Sequence, residues 1–235
     1  MSHKAHWHKN NGQKNLFIWD LNGTLEIGSE LADAGAMNTF FSELGVERRV
    51  TPQEMIEAPS AWTDRIKKFA PAVRILDEYI DRLVKLRECR SIEYATEFPT
   101  AKEALETVKQ HGDDNIVVSL LGAKCLDETL LKIGIKGHVD AAYSARDDFF
   151  GKQPKGSYMS FLKMIAEYKA HLITNHASNH CYVRKIMAGD NPEDIEAGKL
   201  VGAMTFQVGG RQDGNAGFYV DKPLDVVCTT YALIR

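Results

Sequence analysis

Asn15-Leu16-Phe17-Ile18-Trp19-Asp20-Leu21-Asn22-Gly23 is the stretch on which the fold turns. A short apolar run ends in an acid and is followed at once by a turn-forming Asn-Gly pair. That pattern predicts a buried strand delivering Asp20 at its carboxyl end. Ile116-Val117-Val118-Ser119 is a second such run. It follows a helix signalled by Thr100-Ala101-Lys102-Glu103, where Thr100 and Glu103 have the spacing of a capping box, with Pro99 just before and Gly112 after the end. Val139 to Tyr143 forms a weaker strand signal. Ile186-Met187-Ala188-Gly189 is a further apolar run, ending in Asp190. Thr205 to Val208 and Tyr219-Val220 predict two more short strands. Strand and helix patterns thus alternate from residue 96 onward, which argues for a parallel sheet with helices on both faces.

Residues 28–95 differ. They are poor in strand signals and carry helical spacing, with Met37, Phe40, Phe41 and Leu44 in one segment and Ile75, Tyr79, Ile80 and Leu83 in another. Thr51-Pro52-Gln53-Glu54 opens a helix, with proline at its first position inside a capping box. The expected architecture is α/β: a Rossmann-like parallel-sheet core from residues 13–27 and 96–235, interrupted by an all-helical cap at 28–95. Residues 1–12 form a polar tail with His3, His6 and His8 but no periodicity.

Composition excludes several classes. The 235 residues are 44% hydrophobic and 26% charged, as in ordinary soluble domains, and suffice for a substantial core. A formal net charge of −3 offers no basic field for nucleic acid or an anionic membrane. The longest apolar run, Ile116 to Ala123, is too short to span a bilayer, and no secretory signal is recognisable. Cys89, Cys125, Cys181 and Cys228 are widely spaced, so a reducing, cytoplasmic setting is expected.

Asp20-Leu21-Asn22-Gly23-Thr24-Leu25 resembles the D-x-D-G-T-L signature of the haloacid-dehalogenase-like superfamily, with Asn22 in place of the second aspartate. Three more segments arrive in that family's order. Ser119 ends the second strand. Gly151-Lys152-Gln153-Pro154-Lys155-Gly156-Ser157-Tyr158 resembles G-K-P-x-P-x-x-F, with Lys152 six residues before the aromatic. Gly189-Asp190-Asn191-Pro192-Glu193-Asp194-Ile195-Glu196-Ala197-Gly198 is similar to G-D-x-x-x-D-I-x-A-A. The resemblance runs from residue 15 to about 228, and four ordered motifs carry more weight than any one.

The resemblance implies a phosphatase or phosphotransferase acting on a small phosphorylated compound through an aspartyl-phosphate on Asp20. It implies Mg²⁺ held by Asp20, Asp190 and the backbone carbonyl of Asn22, with Asp194 supporting the metal or the lysine. It also implies phosphate binding by Ser119, the backbone N–H of Leu120 and Lys152. Elementary chemistry fits these roles. Ligands of α/β sheets bind beyond the carboxyl ends of the strands, where Asp20, Ser119 and Asp190 all fall. A carboxylate nucleophile splits one displacement into two. A hard cation relieves repulsion between that carboxylate and the phosphate, and a lysine neutralises the transferring group. Lys155 is a rival to Lys152, and Asn191 with Pro192 predicts a capped helix start that puts Asp194 in its first turn.

Asn22 departs from the family, whose second aspartate serves as general acid and then base. An amide does neither, and such assistance contributes roughly 10²–10⁴-fold. Three alternatives follow: a phosphatase that is slow or restricted to acyl or aryl phosphates, a non-catalytic module binding a phosphorylated ligand or protein, or a phosphonatase-like hydrolase using a cap lysine such as Lys67 or Lys68. Retention of Asp20, Lys152 and Asp190 favours chemistry. Arg65, Lys67, Lys68 and Arg74 are cap candidates for meeting an anionic substrate. Outside the family pattern, His171, His176, His180 and Cys181 include an i, i+4 histidine pair, but the surrounding Asn175, Ser178 and Asn179 read as a polar surface loop rather than a zinc site.

Overall fold

The computed structural model describes residues 13–58, 62–145, 158–209 and 215–234. Among these, six strands make one sheet in the order β5-β4-β1-β6-β7-β8, with every neighbouring pair parallel. They are β1 (Lys14–Trp19), β4 (Asp114–Ser119), β5 (Ala141–Ser144), β6 (Tyr182–Gly189), β7 (Met204–Val208) and β8 (Phe218–Val220). The chain builds outward from β1 to β4 and β5, then crosses back to add β6, β7 and β8 on the other side. The strand order therefore reverses at β1, where α/β sheets open their binding crevice.

β1 is central because its side chains are apolar on both faces. Phe17 and Trp19 pack on one face, under α5 (Ala101–Gln110), α6 (Ala123–Lys132) and α9 (Pro223–Leu233). Leu16 and Ile18 pack on the other, with Ile173 of α7 (Tyr158–Ser178). Trp19 is fully buried, and its indole Nε1–H donates to Asn115 Oδ1 at 2.9 Å, so the ring's polar atom is satisfied inside the core. α8 (Pro192–Leu200) joins β6 to β7.

Between β1 and the rest of the sheet the chain leaves through β2 (Glu26–Ile27) and returns through β3 (Thr96–Glu97), an antiparallel two-stranded ribbon. The excursion is helical: α1 (Ser29–Glu43), α2 (Pro52–Ile56), α3 (Trp62–Phe69) and α4 (Asp77–Tyr94). Its core is separate, built on Met37, Phe40, Phe41, Met55, Ile66 and Leu83. The capping box at Thr51 and Glu54 forms with Pro52 at the helix start. α4 docks on the sheet unit at α6, where the Gly122 N–H donates to Glu88 Oε1 at 3.1 Å.

Two local expectations are corrected. Thr100 makes no side-chain cap, because it adopts a left-handed φ of 76°. Its hydroxyl instead accepts from Leu224 N–H, while the Lys102 N–H at the start of α5 donates to Glu97 Oε1 at 2.9 Å. The segment around His171 is not a loop, since α7 continues through Ser178. Within it His176 lies between two phenols, Nδ1 at 2.7 Å from the Tyr143 hydroxyl and Nε2 at 3.1 Å from that of Tyr182. No helix among the described residues is long and apolar enough to cross a membrane.

Candidate active site

The β1–β6 ladder pairs Trp19 with Ala188 and continues as Asp20 N–H donates to Ala188 carbonyl at 2.9 Å. Asp20 therefore stands beside Gly189 and Asp190, where β6 ends. Pro192 opens α8 one residue after Asn191, and its first turn brings Asp194 under the same edge. Oxygens of Asp20, Asp190 and Asp194 all lie within 4.8 Å of one another. Contrary to the expectation from sequence, Asn191 does not cap α8 with its side chain. Its Nδ2–H donates instead to Asp190 Oδ1 at 2.7 Å, orienting that carboxyl. Ser119 ends β4 on the other side of β1, buried, its Oγ accepting from Leu121 N–H at 3.2 Å. Leu120 is the next residue in that turn.

Two glycines let the carboxylates come so close. Gly23 has a φ of 82°, and a Cβ there would lie 2.3 Å from Asp190 Oδ2. A Cβ on Gly189 would lie 2.3 Å from Asp194 Cβ.

Lys152 lies outside the described residues. Among the described residues, the ammonium beside Asp20 belongs to Lys169 of α7, which sequence reasoning missed. Lys169 is 2% exposed; its Nζ donates to Asp20 Oδ1 at 3.2 Å and also to Asp194 Oδ1. A signal existed. Ile165, Ala166, Ala170 and Ile173 form a buried helical stripe, and Lys169 sits in its middle. A lysine in an apolar stripe needs buried carboxylates to be tolerated.

Among the described residues charge is unevenly matched here, three carboxyls against one ammonium. Burial, then repulsion from Asp194, pushes the Asp20 carboxyl up to about 7, against the pull of Lys169. Burial, then Asp20 and Asp194, raises Asp190 well above the carboxylate range. Burial on its own would lower Lys169, but Asp194 and Asp20 outweigh it and hold the ammonium charged. The donor set is all oxygen, its charge excess is negative, and Gly23 leaves a cradle against Asp190 that a side chain would fill. Those features fit a hard divalent cation such as Mg²⁺.

Asn22 is half-buried and donates from Nδ2 to Glu26 Oε2 at 2.6 Å. Glu26, also missed from sequence, is 2% exposed, and burial raises its carboxyl to about 7 despite the Asn22 hydrogen bond. Of the cationic cap candidates, Arg65 pairs with Asp33 at 2.7 Å, Lys67 pairs with Asp64 at 3.4 Å, and Lys68 donates to the Glu57 carbonyl. The His176–His180 pair gains no third ligand among the described residues; the acidic trio is the metal-like cluster found there.

A family model described as haloacid dehalogenase-like hydrolase matches residues 17–208. No curated protein matches the chain closely enough to count as a relative. Solved structures with the same fold include a haloacid dehalogenase-like hydrolase from Streptococcus pneumoniae, with 18% identity, a TM-score of 0.66, and coverage of 93% of this chain and 98% of that one. A predicted phosphoglycolate phosphatase from Haemophilus somnus is 14% identical with a TM-score of 0.70, covering 94% and 100%. CbbY from Rhodobacter sphaeroides, solved with phosphate, is 15% identical with a TM-score of 0.65, covering 90% and 95%. With the family model covering most of its length, this chain belongs to the haloacid dehalogenase-like hydrolases.

Proposed function

We infer that the chain is a Mg²⁺-dependent phosphatase of small phosphorylated compounds that works through an aspartyl-phosphate on Asp20. The observation that carries this is the buried constellation of Asp20, Lys169 and Asp194, with Asp190 beside it, at the carboxyl edge of the sheet. A carboxyl brought this close to two others and a buried lysine is expensive as a purely structural feature. Burying charged groups costs several kcal/mol each unless pairing is complete, and among the described residues three carboxyls share one ammonium here.

Mg²⁺ bound by Asp20, Asp190 and the Asn22 carbonyl, with Asp194 in support, would offset that excess and the charge of the phosphate. The chain's own residues do the rest. Lys169 orients Asp20 at its Oδ1 and favours its ionised form, leaving the other oxygen to attack phosphorus. Ser119 Oγ and the Leu120 N–H are the donors for the phosphoryl oxygens. Asp194 fixes Lys169 between α7 and α8. The helical unit at 28–95 acts as a cap that excludes water and supplies specificity. Its pairing of Arg65 with Asp33 makes that arginine a structural strut rather than a free anion contact.

A phosphate-release screen over small phosphate esters and acyl phosphates, with and without Mg²⁺, tests this. Release that needs both Mg²⁺ and Asp20 is expected. A folded, Mg²⁺-binding protein that releases no phosphate from any of them would favour a binding module instead.

A further inference from the structure

Phosphoryl transfer to Asp20 breaks a P–O bond, and the departing oxygen keeps the electron pair. An alkoxide needs a proton at that moment, whereas a carboxylate, a phenolate or a phosphate leaves without one. The side chain two residues beyond the nucleophile is Asn22, and its hydrogen bonding fixes what it can do. The amide nitrogen faces Glu26 and donates to its Oε2 at 2.6 Å. The amide oxygen is left as an acceptor, with no proton to give.

Glu26 is no substitute acid. Its carboxyl is buried in β2 and engaged by the Asn22 amide, and an amide does not relay a proton. The other acids at the edge, Asp190 and Asp194, belong to the carboxylate cluster around Lys169.

Resting on the phosphatase reading above, we propose that the Asn22–Glu26 pair restricts the enzyme to phosphates with acidic leaving groups: acyl phosphates, aryl phosphates and phosphoric anhydrides. In the first step an Asp20 oxygen bonds to phosphorus as the P–O bond to the leaving group breaks, and an acyl phosphate gives a free carboxylate with no proton moved. In the second, water adds to phosphorus, Asp20 departs as a carboxylate, and a water proton passes to the phosphate, giving dihydrogen phosphate. Asp20 is itself an acidic leaving group, so neither step asks a proton of the side chain at position 22. Glu26 is a positioning residue that holds the Asn22 amide.

The test compares kcat/KM for phosphate release across acetyl phosphate, aryl phosphates of graded phenol acidity and glycerol phosphate, in saturating Mg²⁺. Asn22→Asp alone would set two carboxylates 2.6 Å apart, so the matching variant is the exchange Asn22→Asp/Glu26→Gln, which keeps the hydrogen bond with its polarity reversed and leaves the total charge unchanged. Wild type should show a steep fall in kcat/KM as the leaving group becomes more basic. The exchange should flatten that slope and raise glycerol phosphate turnover by roughly 10²–10⁴-fold, with a far smaller change for acetyl phosphate. If the exchange does not fold, the wild-type slope alone decides. Asp20-dependent release from glycerol phosphate as fast as from acetyl phosphate in wild type overturns the restriction while leaving the phosphatase reading intact. Absence of release even from acetyl phosphate overturns both.

Discussion

Lys169 and Asp20 lie 149 residues apart in sequence and 3.2 Å apart in space, buried together where β1 meets α7. Asp194 takes the other side of the same ammonium. Removing the lysine leaves two buried carboxylates without their counter-charge, a loss of the kind that costs about 3–5 kcal/mol. Lys169→Met should therefore lower the urea midpoint by an amount corresponding to that range and abolish phosphate release. Added Mg²⁺ should recover part of the stability but not the activity. Unchanged stability would show that the pair contributes little to the fold.

The raised Asp20 carboxyl makes a prediction about pH. Its ordinary value is 3.8 and its folded value about 7, so the folded state binds more protons between those limits. Stability from this group is thus lost as pH rises from about 4 to 7. Glu26, raised from 4.5 to about 7, acts in the same direction, while burial lowers His176 and makes it act the other way below 6.5. Comparison with Asp20→Asn isolates the nucleophile. Without Mg²⁺, wild type should lose thermal stability relative to that variant between pH 5 and pH 7.5 (roughly the window set by those values). Parallel melting curves across that range would refute the assignment.

Gly23 gives a steric prediction. With φ at 82° and an added Cβ only 2.3 Å from Asp190 Oδ2, Gly23→Ala must displace the acid or the turn. A left-handed alanine costs about 1 kcal/mol on its own, so the domain should still fold. Calorimetry should show Mg²⁺ affinity reduced at least roughly tenfold, the consequence of about 1.4 kcal/mol lost at one ligand. Wild-type affinity in Gly23→Ala would mean that Asp190 is not a ligand.

Much of this was legible in the sequence, for reasons particular to where the residues fall. Asp20, Ser119 and Asp190 end apolar strands, so period, turn and chemistry agree at one point in the chain. α7 was obscured because its last turns, His171 to Ser178, are polar where the helix reaches the sheet's far edge. The same polarity hid the stripe that marks Lys169. Thr100 failed as a cap because Glu97, just ahead of the motif, takes the Lys102 N–H, while the Thr100 hydroxyl accepts from Leu224, far away in sequence. Glu26 lies one residue past the D-x-D-G-T-L match, and its role follows only from its 2.6 Å contact with Asn22.

Trapping the covalent intermediate reports on Asp20 itself. Wild-type protein would be incubated with acetyl phosphate and Mg²⁺, quenched in acid, reduced with borohydride and mapped by mass spectrometry, alongside Asp20→Asn. An aspartyl-phosphate is reduced to homoserine, so homoserine is expected at position 20 in wild type, dependent on Mg²⁺ and absent from the variant. Phosphate released from acetyl phosphate with no modification at position 20, or with equal release by Asp20→Asn, would contradict it.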